Sequence, residues 1–397
     1  MNKILFLENI NRLAAEKFAA AGFEIENLPQ SLDENMLAEK IKDIAMLGIR
    51  SKTKITKKIL ENAPHLAAIG AFCIGTDQID LLAATERGIA VFNAPYSNTR
   101  SVAELALGEI IMLLRRVFEK NAKLHRGVWD KNAAGSYEAR GKTLGIVGYG
   151  KIGSQLGLLA EALGMKVCFY DLAEKLTLGN AKPCHSLEEL LQSAKIISIH
   201  VDGRPENKNL IGEKEFALMR TGTIFLNLSR GSVADLEALA KNLQTEKIAG
   251  AAIDVYPEEP SGNEGKFINP LQNCPNTILT PHIGGSTEEA QKNIAEFVSA
   301  QMINFLGAGN TEMCVTLPNM QAAPPATNRI IHIHNNVPGV LAKITNVLAT
   351  HNLNILGQQL KTNEKIGYAV LDIDKNLDAE ILNQLINVPA TINCRII

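Results

Sequence analysis

The sequence predicts an α/β protein built from two doubly wound parallel sheets in succession, followed by a smaller unit of different strand order. Three observations carry that reading. Apolar strand-like runs alternate with amphipathic helical stretches from the first residues towards Gly307. A glycine pattern, Gly148-Tyr149-Gly150-Lys151-Ile152-Gly153, sits between a strand and a helix. After a Pro-rich stretch the order changes to β-α-β-β-α-β, the ferredoxin-like unit.

Taken in order, KILFLE, AMLGI, HLAAIGAFC and IAVFNAP are the first strands, with a helix from about Ile10 to Ala21 between the first two. SVAELALGEIIMLLRRVFEKNAKLHRG follows as one long helix, with Ser101 as N-cap and Glu104 as its capping-box partner. The second series runs LGIVG, KVCFYD, KIISIHV, GTIFLNLS, GAAIDV and NTILTPH. Six strands are what a full dinucleotide-binding sheet requires. A further helix begins near Ser286, and NMQAAPPATN reads as a linker. The tail supplies the strands RIIHIHN, NILGQQLKTN, IGYAVLDID and TINCRII and the helices GVLAKITNVLATHN and LDAEILNQLINV.

Composition narrows the class. The chain has 397 residues, too many for one core, so two or three domains are expected. Its 40 Lys+Arg against 42 Asp+Glu give a net charge of −2, which argues against a dedicated nucleic-acid binder. The opening MNKILFLENI has an apolar patch that Glu8 and Asn9 end at once, so it lacks the form of a signal peptide. No run approaches 18 apolar residues, and no membrane span is expected. Six scattered cysteines without CxxC spacing suggest reduced, mostly buried thiols in a cytoplasmic protein, with no metal site.

The glycine pattern gains meaning from its context. Glycines there allow a tight turn and close backbone approach, and the N-terminus of the helix beginning at Lys151 and Ile152 can hold a pyrophosphate. Asp171 ends the next strand, 18 residues beyond Gly153. A carboxylate there accepts from ribose hydroxyls and repels a 2′-phosphate, so the expected cofactor is NAD.

Hydride transfer to a 2-oxo acid needs a cation for the carboxylate, a group of near-neutral pKa for the proton, and a partner for that group. Arg supplies planar bidentate binding, His a tunable pKa, and a neighbouring carboxylate stabilises imidazolium. The second half offers Arg230 in LNLSRGS, Glu259 in DVYPEEP and His282 in TPHIGGS, each at a strand end. Singly they read as a surface cation, one of two loop acids and a turn residue. His200 in IISIHV is a competing histidine, read as structural or cofactor-adjacent because no acid stands near it in sequence.

Together these residues resemble the Arg-Glu-His set of the D-specific 2-hydroxyacid dehydrogenases. LGIRSKT, AFCIGTDQIDL, VFNAPYSNTRSVAELALGE, HRGVWDK, GSYEARGKTLGIVGYGKIG, SRGSVADLEAL and LTPHIGGSTEEAQ narrow the resemblance to the short bacterial D-3-phosphoglycerate dehydrogenases, over essentially the whole chain. The resemblance implies Arg230 for the substrate carboxylate, His282 for acid/base work and Glu259 as its partner. It carries Leu228, Ser229, Arg230, Asp254, His282, Ile283, Gly284 and Gly285 to the cofactor, and Arg50, Ser51, Asn98 and Lys131 to the substrate. It also implies two lobes, a Rossmann-type NAD domain (98–285) and a flavodoxin-like substrate domain (1–97 and 286–316), then a linker (317–328). The tail (329–397) resembles an ACT domain, with His334, Asn336 and Asn354 at positions that bind L-serine as an effector. A homotetramer, NAD-dependent oxidation of a phosphorylated hydroxy acid and side reduction of 2-oxoglutarate are further implications. Trp129 reads either as a subunit anchor or as a core aromatic. Lys52 departs from the Arg common among relatives and loses the bidentate fork. Alternatives are another D-2-hydroxyacid dehydrogenase, acting on hydroxypyruvate, glyoxylate or lactate, a corepressor-like binding protein, and a non-catalytic sensor of NAD or amino acids.

Overall fold

A computed structural model describes residues 3–260, 266–322, 324–325 and 328–397. Internal contacts divide the chain into two units, one formed by Met1–Ser97 with Gln291–Ile397 and the other by Asn98–Ala290.

The first unit opens with β1 (Lys3–Phe6), β2 (Glu24–Asn27), β3 (Met46–Ile49), β4 (Ala68–Ala71) and β5 (Ala90–Asn93). They form a parallel sheet in the order β2-β1-β3-β4-β5, the flavodoxin-like arrangement. The sequence reading missed β2. Its EIEN carries charge on an edge strand that is only half-buried, so no apolar run marks it. Along the other strands alternate residues face two cores, as a parallel sheet covered on both sides requires. Ile4, Phe6 and Met46 join one cluster, and Leu5, Leu47 and Ile49 the other. Truncating Phe6 to Ala would cost about 3–5 kcal/mol. Ile294, Val298, Met302 and Phe305, one face of the helix Glu288–Ala308, pack on the first cluster. That helix lies so close that a Cβ on Gly70 would stand 2.4 Å from the Met302 sulfur.

The tail adds β13 (Asn328–Asn335), β14 (Ile355–Thr362), β15 (Ile366–Ile373) and β16 (Thr391–Ile396), an antiparallel sheet in the order β14-β15-β13-β16. Helices Val340–Thr350 and Ala379–Ile386 cover one face through Ile330, Ile344, Leu348, Leu371 and Leu385. The other face places Ile331, Ile333, Tyr368 and Val370 in the cluster that holds Phe92 and Phe305. Its side chains also cap the helix Glu288–Ala308, whose last carbonyls lack partners within the helix. Arg395 donates to the Phe305 and Leu306 carbonyls at 2.6 and 3.0 Å. Arg329 donates to Ala308 at 2.8 Å, and the Tyr368 hydroxyl to Gly309 at 2.8 Å.

The second unit contains β6 (Thr143–Val147), β7 (Lys166–Tyr170), β8 (Lys182–Pro183), β9 (Ile196–Ile199), β10 (Thr223–Asn227), β11 (Ile248–Ile253) and β12 (Thr277–Leu279). The strands are parallel, in the order β12-β11-β10-β9-β6-β7-β8. Among the described residues, seven strands replace the six expected. The extra one, β8, is only Lys182 and Pro183, two exposed residues too few to make an apolar run.

Three expectations are corrected. The long helix is two, Thr99–Leu114 and Val117–His125, separated by Arg116 in the left-handed region at φ 53°. Tyr137 N–H takes the Leu114 carbonyl at 2.8 Å, and Glu119, paired with Arg116, accepts from Asn276 N–H at 3.0 Å, so the turn is tied to distant segments. The N-cap is Asn98. Ser101 instead lies inside the helix within hydrogen-bond distance of the Thr287 hydroxyl, and Glu104 pairs with Arg100. The six cysteines are free, and each is partly exposed instead of buried. Among the described residues, no helix is long and apolar enough to cross a membrane.

Candidate active site and cofactor cradle

The second unit gathers its polar residues at the C-terminal ends of its strands. Gly148 follows β6 at φ 91°, and a Cβ there would lie 2.5 Å from the His200 carbonyl oxygen. A Cβ on Gly153 would lie 2.4 Å from the Gly148 carbonyl oxygen, so the first turn of the helix Lys151–Ala162 sits directly on the loop. Gly150, the residue before that helix, faces open space, and no side chain caps the helix. Asp171 follows β7 and accepts from the Tyr149 and Ala173 amides at 2.9 and 3.0 Å, which fixes it beside the glycine loop. Open space at Gly150, an uncapped helix start and a fixed carboxylate at the next strand end fit a dinucleotide.

Three loops bring Arg230, Glu259 and His282 within reach of one another's charge. After β10, Asn227 organises the turn by accepting from Ser229 N–H and hydroxyl at 3.1 and 2.8 Å and donating to the Arg230 carbonyl at 3.0 Å. Leu228 and Ser229 are buried there, and an Arg230 Nη donates to the Ser229 carbonyl at 2.9 Å. After β11, Asp254 is 1% exposed, and it accepts from the Thr280 hydroxyl at 2.6 Å and from the Ile283 and Gly284 amides at 2.8 Å each. One carboxylate thus clamps the His282–Gly285 turn, in which His282 itself has φ 54°. Glu259 then meets His282, with 2.8 Å between Oε2 and Nδ1, while its Oε1 accepts from Tyr256 N–H at 3.1 Å.

The electrostatics follow. The Glu259 hydrogen bond raises the His282 pKa, against burial and the Arg230 charge, which lower it. Burial opposes ionisation of Glu259, but His282, the Tyr256 amide and Arg230 together outweigh it and lower its pKa. Arg230 therefore acts on both members of the pair. His200 differs. Part of the residue reaches the surface, yet protein atoms crowd its ring, and that crowding lowers its pKa to about 4. Its Nε2 is 2.8 Å from the Ser198 hydroxyl. Burial favours its neutral form, and its backbone carbonyl lies against Gly148.

Asn227, Tyr256 and Thr280 were not singled out from the sequence. A lone polar residue closing the apolar strand TIFLN was the available signal for Asn227. Tyr256 donates to the Ile253 and Thr280 carbonyls at 2.9 and 3.0 Å, a contact spanning two strand ends that no local pattern announces. Glu109, on the helix Thr99–Leu114, is 1% exposed, and burial together with the Asp254 charge pushes its carboxyl up to about 8.

The residues expected to bind substrate divide. Asn98 approaches Gly285 so closely that a Cβ there would stand 2.1 Å from the Asn98 amide nitrogen. Arg50 and Ser51 lie in the loop after β3 of the first unit. Lys131 is exposed beyond the helix Val117–His125, next to Asp130, which Lys123 holds at 2.7 Å. Trp129, 80% exposed, is not a core aromatic of this chain. In the tail, His334 is 3% exposed, with its Nδ1 3.3 Å from His332 Nδ1, and Asn336 donates to the Asn363 carbonyl at 2.8 Å. Asn354 lines a hollow with Thr345, Asn346 and Ala349, away from both.

Comparison with known proteins agrees with this geometry. Residues 107–284 match the D-isomer specific 2-hydroxyacid dehydrogenase NAD binding domain, and residues 330–393 match the AHAS small subunit-like ACT domain. D-3-phosphoglycerate dehydrogenases of Dictyostelium discoideum and Haemophilus influenzae are each 48% identical over 397 residues, covering 100% of this chain and 97% of theirs. D-lactate dehydrogenase from Aquifex aeolicus, solved with NAD and lactic acid, superposes with a TM-score of 0.72 at 26% identity, over 80% of this chain and 100% of that one. NAD-dependent formate dehydrogenase from Staphylococcus aureus gives 0.67 at 27% identity, over 77% and 96%. Fold and site thus define an NAD-dependent oxidoreductase of the D-isomer-specific 2-hydroxyacid dehydrogenase class, with a C-terminal ACT domain. Within that class, the chain belongs to the D-3-phosphoglycerate dehydrogenases.

Proposed function

We propose that the chain oxidises D-3-phosphoglycerate to 3-phosphohydroxypyruvate, the step that commits carbon to serine. The observation that carries this is 48% identity over the full chain to enzymes of that name. NAD supplies the hydride acceptor when bound. Arg230 pairs with the substrate carboxylate through its planar guanidinium. His282, neutral, takes the hydroxyl proton at Nε2, and Glu259 at Nδ1 stabilises the imidazolium that forms. In the reverse direction the same imidazolium returns the proton. The amides of Ile283 and Gly284, fixed by Asp254, keep the imidazole oriented. Arg50, Ser51, Asn98 and Lys131 are assigned to the substrate's phosphate and carboxylate. Leu228, Ser229, Asp254 and the Ile283–Gly285 backbone are assigned to the cofactor, with Gly148, Gly150, Lys151, Ile152, Gly153 and Asp171. Side reduction of 2-oxoglutarate belongs to the same reading, as does a cytoplasmic location.

L-serine is the proposed effector. Asn336 follows the last residue of β13 and Asn354 precedes the first of β14, and these two strands run in the same direction on either side of β15. The two amides therefore stand at opposite ends of one sheet, roughly 25 Å apart at about 3.3 Å per residue. A single serine that uses both needs a second copy of the tail, in keeping with a homotetramer. NADH oxidation with a panel of 2-oxo acids, with and without L-serine, tests the whole reading. Turnover of glyoxylate, hydroxypyruvate or pyruvate in preference to 3-phosphohydroxypyruvate would reassign the substrate, and indifference to serine would remove the effector.

A further inference from the structure

Glu8 ended the N-terminal apolar run in the sequence, and no role in the chemistry above uses it. In the five-stranded sheet the strand order reverses between β1 and β3. Open α/β sheets place ligands in the crevice at that point. Glu8 follows β1 by two residues, and the loop Arg50–Thr53 follows β3 directly. The Glu8 side chain reaches the loop after β3. Its Oε1 accepts from the Arg50 and Thr53 amides at 3.2 and 2.8 Å, and its Oε2 accepts from the Lys52 amide at 2.9 Å. The residue is 7% exposed, and it and Asn9 both adopt the left-handed region, at φ 64° and 54°. Two non-glycine residues take that conformation only where their surroundings dictate it. A second tie comes from Gln78, whose side chain donates to the Arg50 carbonyl at 2.7 Å.

Three convergent backbone amides form the kind of concavity that elsewhere binds phosphate. Here a carboxylate of the chain already occupies it, so no substrate anion can use those amides. An anion recognised by this loop must be met by its side chains or by the Ser51 amide, which is not one of the three.

We propose that Glu8 is a positioning residue for the substrate. Its carboxylate stands as a permanent internal anion in the amide nest of the 50–53 loop and sets the backbone from which Arg50, Ser51 and Lys52 project. It acts through the loop and touches no substrate. The proposal rests on the assignment of Arg50 and Ser51 to the substrate.

The test compares Glu8→Gln, Glu8→Asp and Arg50→Gln in the full-length enzyme. In Glu8→Gln the amide nitrogen must face a backbone N–H, which removes at least one charge-assisted bond. The KM for 3-phosphohydroxypyruvate should rise about 10-fold or more, in line with the strength of hydrogen bonds to charged groups. The KM for NADH and kcat should stay within roughly twofold. Glu8→Asp keeps the charge on a shorter arm and should give a smaller rise, and it carries the test alone if Glu8→Gln does not fold. Arg50→Gln checks the underlying assignment. If it leaves the substrate KM unchanged, the loop does not bind substrate and the proposal falls with it. If Arg50→Gln raises that KM while folded Glu8 variants do not, or if they lose only thermal stability and kcat, Glu8 is structural and the proposal alone is overturned.

Discussion

The two parallel sheets use the same device in opposite ways. In the seven-stranded sheet, the loop after β6 leads into a helix whose start no side chain caps, and open space lies over Gly150. In the five-stranded sheet, the amides of the loop after β3 converge on the carboxylate of Glu8. Both are backbone cradles for an anion. In the proposed reading the first receives its anion with the cofactor, whereas the second already holds one from the chain. An open cradle can exchange its ligand, whereas a filled cradle gives a loop one fixed shape. The difference teaches that a strand-end loop becomes a binding site or a rigid platform according to who supplies the charge.

The largest effect should come from a change that spares both cradles. His282→Ala removes the proposed proton carrier and should lower kcat by roughly 10²–10⁴-fold, with NADH affinity retained by fluorescence titration. Normal turnover in this variant would move the proton chemistry elsewhere and separate the open cradle from the reaction. Next in size is the open cradle itself. Gly148→Ala places a Cβ 2.5 Å from the His200 carbonyl at a φ of 91°. Left-handed strain is about 1–2 kcal/mol, so NADH affinity should fall roughly 5–30-fold by calorimetry, at about 1.4 kcal/mol per tenfold, while the protein stays folded. Unchanged affinity would show that the loop does not carry the dinucleotide.

A finer adjustment acts at the rim. Asp171→Ala removes the carboxylate that accepts from the Tyr149 amide. The preference for NADH over NADPH should narrow by about tenfold, one lost charge-assisted interaction, measured as the ratio of kcat/KM values. A parent enzyme indifferent to the 2′-phosphate would contradict the assignment. The smallest effect is a displacement of pH dependence. In the proposed mechanism ketone reduction needs imidazolium at His282, which exists below its raised pKa, so the rate should fall as pH passes upward through that value. Glu259→Gln removes the largest cause of the rise, and the fall should begin at lower pH. For oxidation, which needs the neutral ring, activity should correspondingly appear at lower pH. A profile that does not move would mean that Glu259 does not set the charge on His282.

Much of this was legible in the chain. The glycine pattern, Asp171 and the strand-end positions of Arg230, Glu259 and His282 are local signals, because a strand, a turn and a helix start each declare themselves within a few residues. The alternation of elements likewise specified two parallel sheets and a tail of another order. The helix break at Arg116 was not legible, since apolar periodicity continues across it and the turn is held by Tyr137 and Asn276 from elsewhere. Nor was β2, whose charged residues complete an edge.

What tertiary structure alone decided are contacts between residues far apart in sequence. Glu8 meets amides 42 to 45 positions away, and nothing in LENI or RSKT marks them as partners. The tail was readable as a separate unit, but not its second buried face. Ile331 and Ile333 alternate with His332 and His334, and that pattern equally suits a strand with one face in water. Only packing shows both faces covered, with Arg329, Arg395 and Tyr368 satisfying carbonyls at the end of a helix from another part of the chain. Periodicity reports which residues share a face. What that face meets is set by the energy of burying it against a particular partner, and that becomes defined only when the chain has folded.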